Sequence, residues 1–407
     1  LALTNSALEV THEFALLGSP ANGIIHYMAV AEDEAGNRAT NNNSGAFFNF
    51  TNTQPPEILV LDSYTDSGGL IAAPPLSGYT DALAALGRAY SVFDASTGDE
   101  PTLAQLRAYR CVIWRMDEIS APAVSLAQKI TSYATNGGSL FIASMDATSR
   151  FTEAGLASFN TGVLQLQSYT EDQPVNAVAS TPGDPVGAGI DTALDYTPYD
   201  ELLSFLAFLG VTDPSDWIVP TANATAILLS DGSVVGVRSP KTGVDLPARV
   251  VYLSFPLDVV PLGSGVANNR AGLLNNILNF LVPTAGSSSL TLDSDVYSLP
   301  GRAVVEVQDL DLQGLGQASI TIRSSQQTNG VSVTLLETAR HGLFRGSFIL
   351  SPTNATLPGT LQARANDSIQ AEYFDASTDR LLIATASIDT NAPTITNVVI
   401  EPGYLEA

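Results

Sequence analysis

Thiols, imidazoles and positive charge are all scarce in this chain of 407 residues. A single cysteine, Cys111, rules out an intrachain disulfide and a structural zinc site built from thiolates. The three histidines are His12, His26 and His341; none falls within residues 55–283, so no local Ser-His or Cys-His pair can form there. Lysine occurs twice, at Lys129 and Lys241. With 17 basic residues against 41 acidic ones the formal charge is −24, which repels phosphate backbones and anionic lipid and so excludes nucleic acid as a partner. No apolar run reaches the roughly 18 residues needed to cross a bilayer, which argues against membrane insertion. The opening LALTNSALEV has no basic segment followed by an apolar one, so the chain reads as a soluble, already processed segment. Two tryptophans and 7 % aromatics offer no aromatic-lined cleft of the kind a two-carboxylate glycosidase needs. Neither a G-x-x-x-x-G-K-[ST] phosphate loop nor a dinucleotide fingerprint is present.

What is present is a 45 % hydrophobic content, enough at this length for two to four domains with real cores. Gly, Ser, Thr and Asn are plentiful, a composition that reads as extracellular or cell-surface. N-x-[ST] sequons stand at Asn42, Asn49, Asn223, Asn354 and Asn366, each requiring an exposed loop for a glycan to be attached.

Residues 1–53 carry short alternating runs expected to be strands, with a turn at Ser19-Pro20-Ala21-Asn22-Gly23. From 55 to 283, short apolar runs (EILVLD, YSVFD, RCVIWRM, SLFIAS, ARVVYLSFPLD) alternate with helix-periodic segments (YTDALAALGRA, VSLAQKITSYATNGG, RAGLLNNILNFLV). That alternation predicts βαβ units around a parallel sheet. Asn136-Gly137-Gly138 is expected to cap a helix, and Asp231-Gly232 to turn a hairpin. TAGSSSL reads as a short flexible linker. Residues 289–389 consist of alternating runs spaced at about ten residues, the pattern of an antiparallel β-sandwich. Residues 391–407 carry one further strand.

Within residues 7–40, the threonine- and histidine-bearing strand, the LLGSPANG turn, the YMAVAEDEAGN strand and its AGN turn resemble the second half of a fibronectin type III domain, and DTNAPTITNVVIEP resembles that domain's opening strand. EILVLD, YTDALAALGRAYSVFD, AYRCVIW, ATNGGSLFIAS and RVVYLSFPLD together resemble the flavodoxin-like domain of the class I glutamine amidotransferase superfamily, over slightly more than half of the chain. The last domain resembles accessory β-domains of large bacterial surface proteins. There Glu337, Gly342, Phe344 and Gly346 hold a pattern of the form E-T-x-x-x-G-x-F-x-G. The fold class expected is therefore multidomain: a partial fibronectin III-like β-module, a flavodoxin-like α/β domain and an antiparallel β-sandwich.

The amidotransferase resemblance implies a nucleophile at a strand-to-helix elbow paired with a late histidine. Here that elbow reads Ser144-Met145-Asp146, without flanking glycines and without a histidine, so the domain is expected to be non-catalytic, a Ser144-based hydrolase being the residual alternative. Cys111 reads as a buried core thiol, His26 as a packed or rim residue and His341 as a turn residue. Asp309 and Asp311, two apart on an expected strand, face one side and could hold Ca²⁺ with Asp293, Asp295 or Asp375 nearby, against the plainer reading of solvated turn aspartates; no other cofactor is suggested.

The termini suggest how the protein works. An incomplete sandwich leaves backbone groups unpaired, so the expected function is an extracellular structural protein whose copies join head to tail by β-strand complementation. Ile395, Val398 and Ile400 would enter the neighbour's module, against Ile25 and Tyr27. Continuity within a longer chain would complete the module equally well. The alternative is an accessory or carbohydrate-binding region of a secreted hydrolase or adhesin, with a surface polysaccharide as partner.

Overall fold

Short alternating runs give hairpins in the N-terminal unit. The computed structural model describes residues 23–32, 37–52, 55–65, 71–211, 215–262, 270–353 and 358–390, and the chain divides into two units between Pro56 and Glu57. In the first unit, β1 (Gly23–Tyr27) pairs antiparallel with β4 (Phe48–Asn52), and β2 (Ala29–Glu32) with β3 (Arg38–Asn41). The turn expected around Pro20, and the terminal strand with Ile395, Val398 and Ile400, lie outside the described residues.

In the second unit, strands such as Ile58-Leu59-Val60-Leu61 have no polar face, so both faces must be covered. Helices do this. In chain order come β5 (Ile58–Asp62), α1 (Ser77–Ala85), β6 (Tyr90–Asp94), α2 (Leu103–Arg107), β7 (Cys111–Arg115), α3 (Val124–Thr135) and β8 (Ser139–Ala143). Next are α4 (Ala147–Glu153), α5 (Ala157–Gly162), β9 (Leu166–Gln173), β10 (Ala177–Ser180), β11 (Asp191–Ala193), α6 (Asp200–Phe208) and β12 (Ser215–Pro220). The layer ends with β13 (Thr225–Ser230), β14 (Ser233–Ser239), β15 (Val250–Leu253) and α7 (Arg270–Leu281). Ile58, Val60, Ile113 and Phe141 enter one core with α1 and α7, while Leu59, Leu61, Val112, Trp114 and Ile142 enter the other with α3, α4 and α5. The two-residue period of a strand divides one continuous apolar run between the two cores.

The nine-stranded sheet runs β11-β10-β13-β14-β15-β8-β7-β5-β6. Its β15-β8-β7-β5-β6 half is parallel, as expected. The other half is antiparallel, so the sheet is mixed rather than the parallel sheet expected from βαβ units, although the hairpin expected at Asp231-Gly232 is part of it. The stretch between β8 and β15 folds as hairpins rather than βαβ crossovers, and the turn at Asp231-Gly232 joins Ser230 to Ser233 in register. β9 and β12 pair separately. Helix α3 ends as expected: the Gly138 N–H donates to Tyr133 O at 3.1 Å and the Gly137 N–H to Ala134 O at 2.9 Å, with Gly137 at φ +95°. This double bond satisfies the last carbonyls of the helix, and the left-handed conformation it requires favours glycine.

The remaining strands are β16 (Ser288–Leu292), β17 (Val296–Tyr297), β18 (Gly301–Asp309), β19 (Gln317–Arg323), β20 (Val331–Glu337), β21 (Leu343–Ser351), β22 (Thr360–Gln362), β23 (Ser368–Asp375) and β24 (Arg380–Ile388). They form one continuous sheet, β16-β18-β21-β20-β19-β23-β24-β17, with β22 beside β21, instead of the two facing sheets of a sandwich. β16 and β17 are consecutive in the chain yet lie at opposite ends of the sheet. A connection of a few residues reaches only about 3.3–3.6 Å per residue, so the sheet must curl until its ends approach. Val305, Val307, Ile320, Leu335, Phe344 and Ile369 fill the single core it wraps.

This curled sheet and the α/β layer belong to one unit. Arg345 reaches Asp245 at 2.9 Å and 3.0 Å, and Glu306 at 2.6 Å, while Thr242 donates to Thr291 at 2.9 Å. The expected flexible linker is an ordered turn: the Ser287 N–H donates to Thr284 O, and the Gly286 N–H to Asp311. The E-T-x-x-x-G-x-F-x-G pattern also has a structural account. The Glu337 carboxylate accepts N–H bonds from Gly314, Gly316 and Gly342, and Phe344 is core. Gly342 sits at φ +73° with the Asp309 carbonyl 3.0 Å from where a Cβ would be. Gly342→Ala is expected to lower the unfolding free energy by about 1–3 kcal/mol, read by urea denaturation, because strain and backbone crowding act together.

Candidate functional site

Ligands of open α/β sheets sit beyond the carboxyl ends of the strands, where strand order reverses. In this sheet the reversal lies at β5, which has β6 on one side and β7 on the other. The chain ends β5 with Asp62, β7 with Arg115 followed by Asp117 and Glu118, and β8 with Ser144, Met145 and Asp146. Arg115 is buried and its Nη1 lies 2.9 Å and 3.1 Å from the two oxygens of Asp62; its guanidinium stacks 4.6 Å over Tyr64, and Nη2 donates to Pro74 O. Asp117 accepts from the Thr65 N–H and hydroxyl and from the N–H groups of Ile119 and Ser120.

At the elbow after β8, one carboxylate oxygen of Glu118 accepts the Ser144 hydroxyl at 2.7 Å, the Met145 N–H at 2.8 Å and the Asp146 N–H at 3.3 Å. Ser144 is 0 % exposed and Glu118 3 %. Burial pushes the Glu118 carboxyl up to about 8, against the pull of the Ser144 hydrogen bond and with a further push from Asp146. Nearby, burial also pushes Asp216 up to about 8, although Thr148 donates to it. Tyr199 donates to buried Asp258 at 2.8 Å, and Asp258 is raised by the same desolvation. Chemically, this elbow has a hydroxyl and two N–H donors arranged as an oxyanion cradle would be. The protein's own Glu118 fills it.

Beside the elbow, a cavity of about 170 Å³ opens at the strand-order reversal, lined by Ser63, Thr65, Ser96, Asp117, Ser120 and Leu126 among others. Its wall is mainly apolar, from Ala95, Met116, Pro122 and Leu126 among others, with the hydroxyls of Ser63, Thr65, Ser96 and Ser120 and the carboxylates Asp99, Glu100 and Asp117 set into it.

The other sequence-selected residues are dispersed. Cys111 is fully buried and desolvation pushes its thiol up to about 12, in keeping with a core role. His26 is exposed on β1, and His341 occupies an exposed turn 3.6 Å from Glu337. Asp309 ends β18, but Asp311 lies in the 3-10 turn Leu310–Leu312, so the two do not share a strand face. The Asp309 side chain accepts the Asp311 N–H and thereby makes that turn. Asp309 also accepts from Tyr373 at 2.6 Å, and Asp311 from Gly286 and Ser377, so protein donors occupy both carboxylates. Among the described residues no three His, Cys, Asp or Glu side chains converge to hold a metal.

Of the sequons, Asn49 and Asn366 are exposed. Asn42 accepts the Gly45 N–H, and the Asn223 amide donates to Gln165 at 3.2 Å. Asn354 lies outside the described residues. Ile25 pairs with Phe50 in the β1–β4 ladder, and Tyr27 stacks on Phe48 at 5.4 Å with about half its surface exposed. Glu118 escaped the sequence reading. Its signal was a carboxylate pair, Asp117-Glu118, just beyond the buried strand Cys111–Arg115.

No family model matches the chain and no curated protein matches it. Among solved structures it is similar to a cytoplasmic protein from Salmonella typhimurium (TM-score 0.35, 12 % identity, 63 % of this chain and 95 % of that one). It is also similar to a β-galactosidase from Rahnella sp. (TM-score 0.35, 12 % identity, 73 % and 41 %) and to an exo-β-1,4-mannosidase from an Opitutaceae bacterium (TM-score 0.32, 10 % identity, 55 % and 34 %). The chain thus spans well under half the length of these two glycosidases. No helix among the described residues is long and apolar enough to cross a membrane.

Proposed function

We propose that this chain is a non-catalytic structural segment of an extracellular assembly, built around a flavodoxin-like layer that resembles the class I glutamine amidotransferase superfamily. The observation that carries the reading is the filled elbow. No histidine falls within residues 55–283, Ser144 is closed to solvent, and its hydroxyl donates to the same Glu118 oxygen as the backbone N–H groups that would otherwise cradle a reacting oxygen. The carboxyl that accepts the Ser144 hydroxyl, Glu118, is as buried as the serine and is held by two backbone N–H groups, so no substrate can reach the pair and the hydroxyl is a poor nucleophile. We therefore expect a panel of ester, amide and glycoside substrates to show no turnover that Ser144→Ala removes; turnover lost in that variant would replace this reading with a hydrolase.

Copies of the chain would join head to tail by strand complementation through residues 391–407. Half-exposed Tyr27, Met28, Val30 and Phe47 in the N-terminal unit supply apolar surface for such a contact. Deleting residues 391–407 should abolish polymers seen by electron microscopy, and polymers that persist would sink strand exchange. A second reading, an accessory or carbohydrate-binding region, is favoured by the cavity at the strand-order reversal, where hydroxyls and carboxylates set in a mainly apolar wall suit a sugar's mixed polar and apolar faces. Saturable calorimetric binding of neutral oligosaccharides, weakened by Ser120→Trp, would support it.

A further inference from the structure

A larger cavity, of about 270 Å³, lies at the opposite end of the parallel strands, where β7, β8 and β15 begin, and the curled sheet forms its other wall. Its lining includes Arg107, Arg110, Arg249 and Arg340, with His341 at the rim, and no Asp or Glu. Four of the chain's 17 basic residues thus gather in one hollow of a protein whose formal charge is −24.

Arg249 is the central member. It is 4 % exposed, stacks 4.9 Å over Phe280, and donates to Phe280 O at 2.5 Å and to the Gln308 side chain at 2.6 Å. These acceptors are neutral, so the guanidinium is buried without a carboxylate in contact. Burial, and after it Arg340, depresses the Arg249 pKa to about 9, and burial followed by Arg110 lowers Arg340. The nearby carboxylates make their ion pairs and hydrogen bonds with other groups than Arg249 and Arg340. Glu57 meets Arg110 at the surface, Glu306 holds Arg345, and Glu337 takes the loop N–H groups. A buried, uncompensated cation costs several kcal/mol in general. An anion between Arg249 and Arg340 would remove that cost, and guanidinium forks match carboxylate and phosphate geometry.

We propose that this cavity binds a small organic oxyanion, a carboxylate or phosphate on a polar body about the size of a monosaccharide. The volume falls just below the roughly 300–1,000 Å³ of drug-sized sites, which sets that size limit. The surrounding negative field excludes polyanions, so a single small anion is favoured.

The test is isothermal titration calorimetry on the full chain at low ionic strength, with inorganic phosphate, glucuronate and glucose as probes. One-site binding of phosphate or glucuronate is expected, with no binding of glucose and weakening at high salt. Binding by phosphate alone assigns a phosphate ester, and binding by glucuronate alone a sugar acid. Arg340→Gln should weaken binding about tenfold, one charge-assisted pair's worth, with circular dichroism unchanged; Arg249→Gln should abolish it. Should Arg249→Gln fail to fold, Arg340→Gln and Arg110→Gln, whose side chains are partly exposed, decide the matter. No saturable heat with either anion, or wild-type affinity retained in both Arg340→Gln and Arg110→Gln, overturns the proposal.

Discussion

Trp114→Ala should lower the unfolding free energy by about 3–5 kcal/mol, near the upper end of core truncations. The indole is fully buried near the carboxyl end of β7. It meets Phe151 edge-on at 5.7 Å and Phe159 at 6.1 Å, rings that stack on each other at 4.2 Å, and its Nε1 donates to Ser63 at 2.8 Å. Alanine leaves a void between the sheet and α4 and α5 that rigid aromatic rings cannot collapse to fill. Urea denaturation followed by far-ultraviolet circular dichroism reads the loss. Trp114→Phe, which keeps most of the volume and loses only the indole bond to Ser63, whose hydroxyl still donates to Arg115 O, should cost clearly less. A Trp114→Ala loss below about 1 kcal/mol, the scale of ordinary surface changes, would mean that α4 and α5 do not pack on this face.

Stability should also fall as pH rises from about 5 to 8, the reverse of ordinary acid denaturation. Glu118 and Asp216 have folded pKa values of about 8, raised by burial above the unfolded carboxylate range. Between those limits the unfolded chain releases both protons while the folded chain keeps them. Unfolding is therefore favoured by up to about 1.4 kcal/mol per pH unit for each group, and the stabilising effect is complete only below the unfolded pKa values. Asp258 and Asp146 are raised as well and act in the same direction. Glu100, held low by its hydrogen bonds from Lys129 and Ser125, and Asp245, held low by Arg345, lose their contribution only at more acid pH. Urea midpoints measured across this range should fall with pH, and Glu118→Gln and Asp216→Asn should each flatten the slope. A wild-type midpoint that stays level or climbs would show that neither carboxyl is buried as described.

Particular residues mark how far the sequence could be read. The α/β portion was legible because runs like Ile58–Leu61 have no polar face and recur with helical segments between them, which forces a sheet covered on both sides. The Gly137-Gly138 cap and the Asp231-Gly232 turn were legible for a similar reason, since each depends on a few adjacent residues. The antiparallel half of the large sheet was not. Asp231-Gly232 marks the β13–β14 hairpin, but nothing local says that this hairpin joins the parallel strands edge to edge through β14 and β15, or that β10 and β11 extend the sheet beyond it. Asp309 and Asp311 misled because spacing by two was read on a strand that in fact stops at the first of them.

Local chemistry, then, determined which segments are strands or helices, which faces are apolar, the excess of acidic over basic residues, and the absence of histidine from residues 55–283. Those properties depend on side chains close together in the chain. The tertiary structure alone decided that Glu118 fills the elbow after β8, that β16 and β17 bring the ends of one curled sheet together, and that Arg249 and Arg340 share a cavity. Each of these joins groups carried by different strands, and strand order is set by the packing of whole layers, which no local pattern encodes.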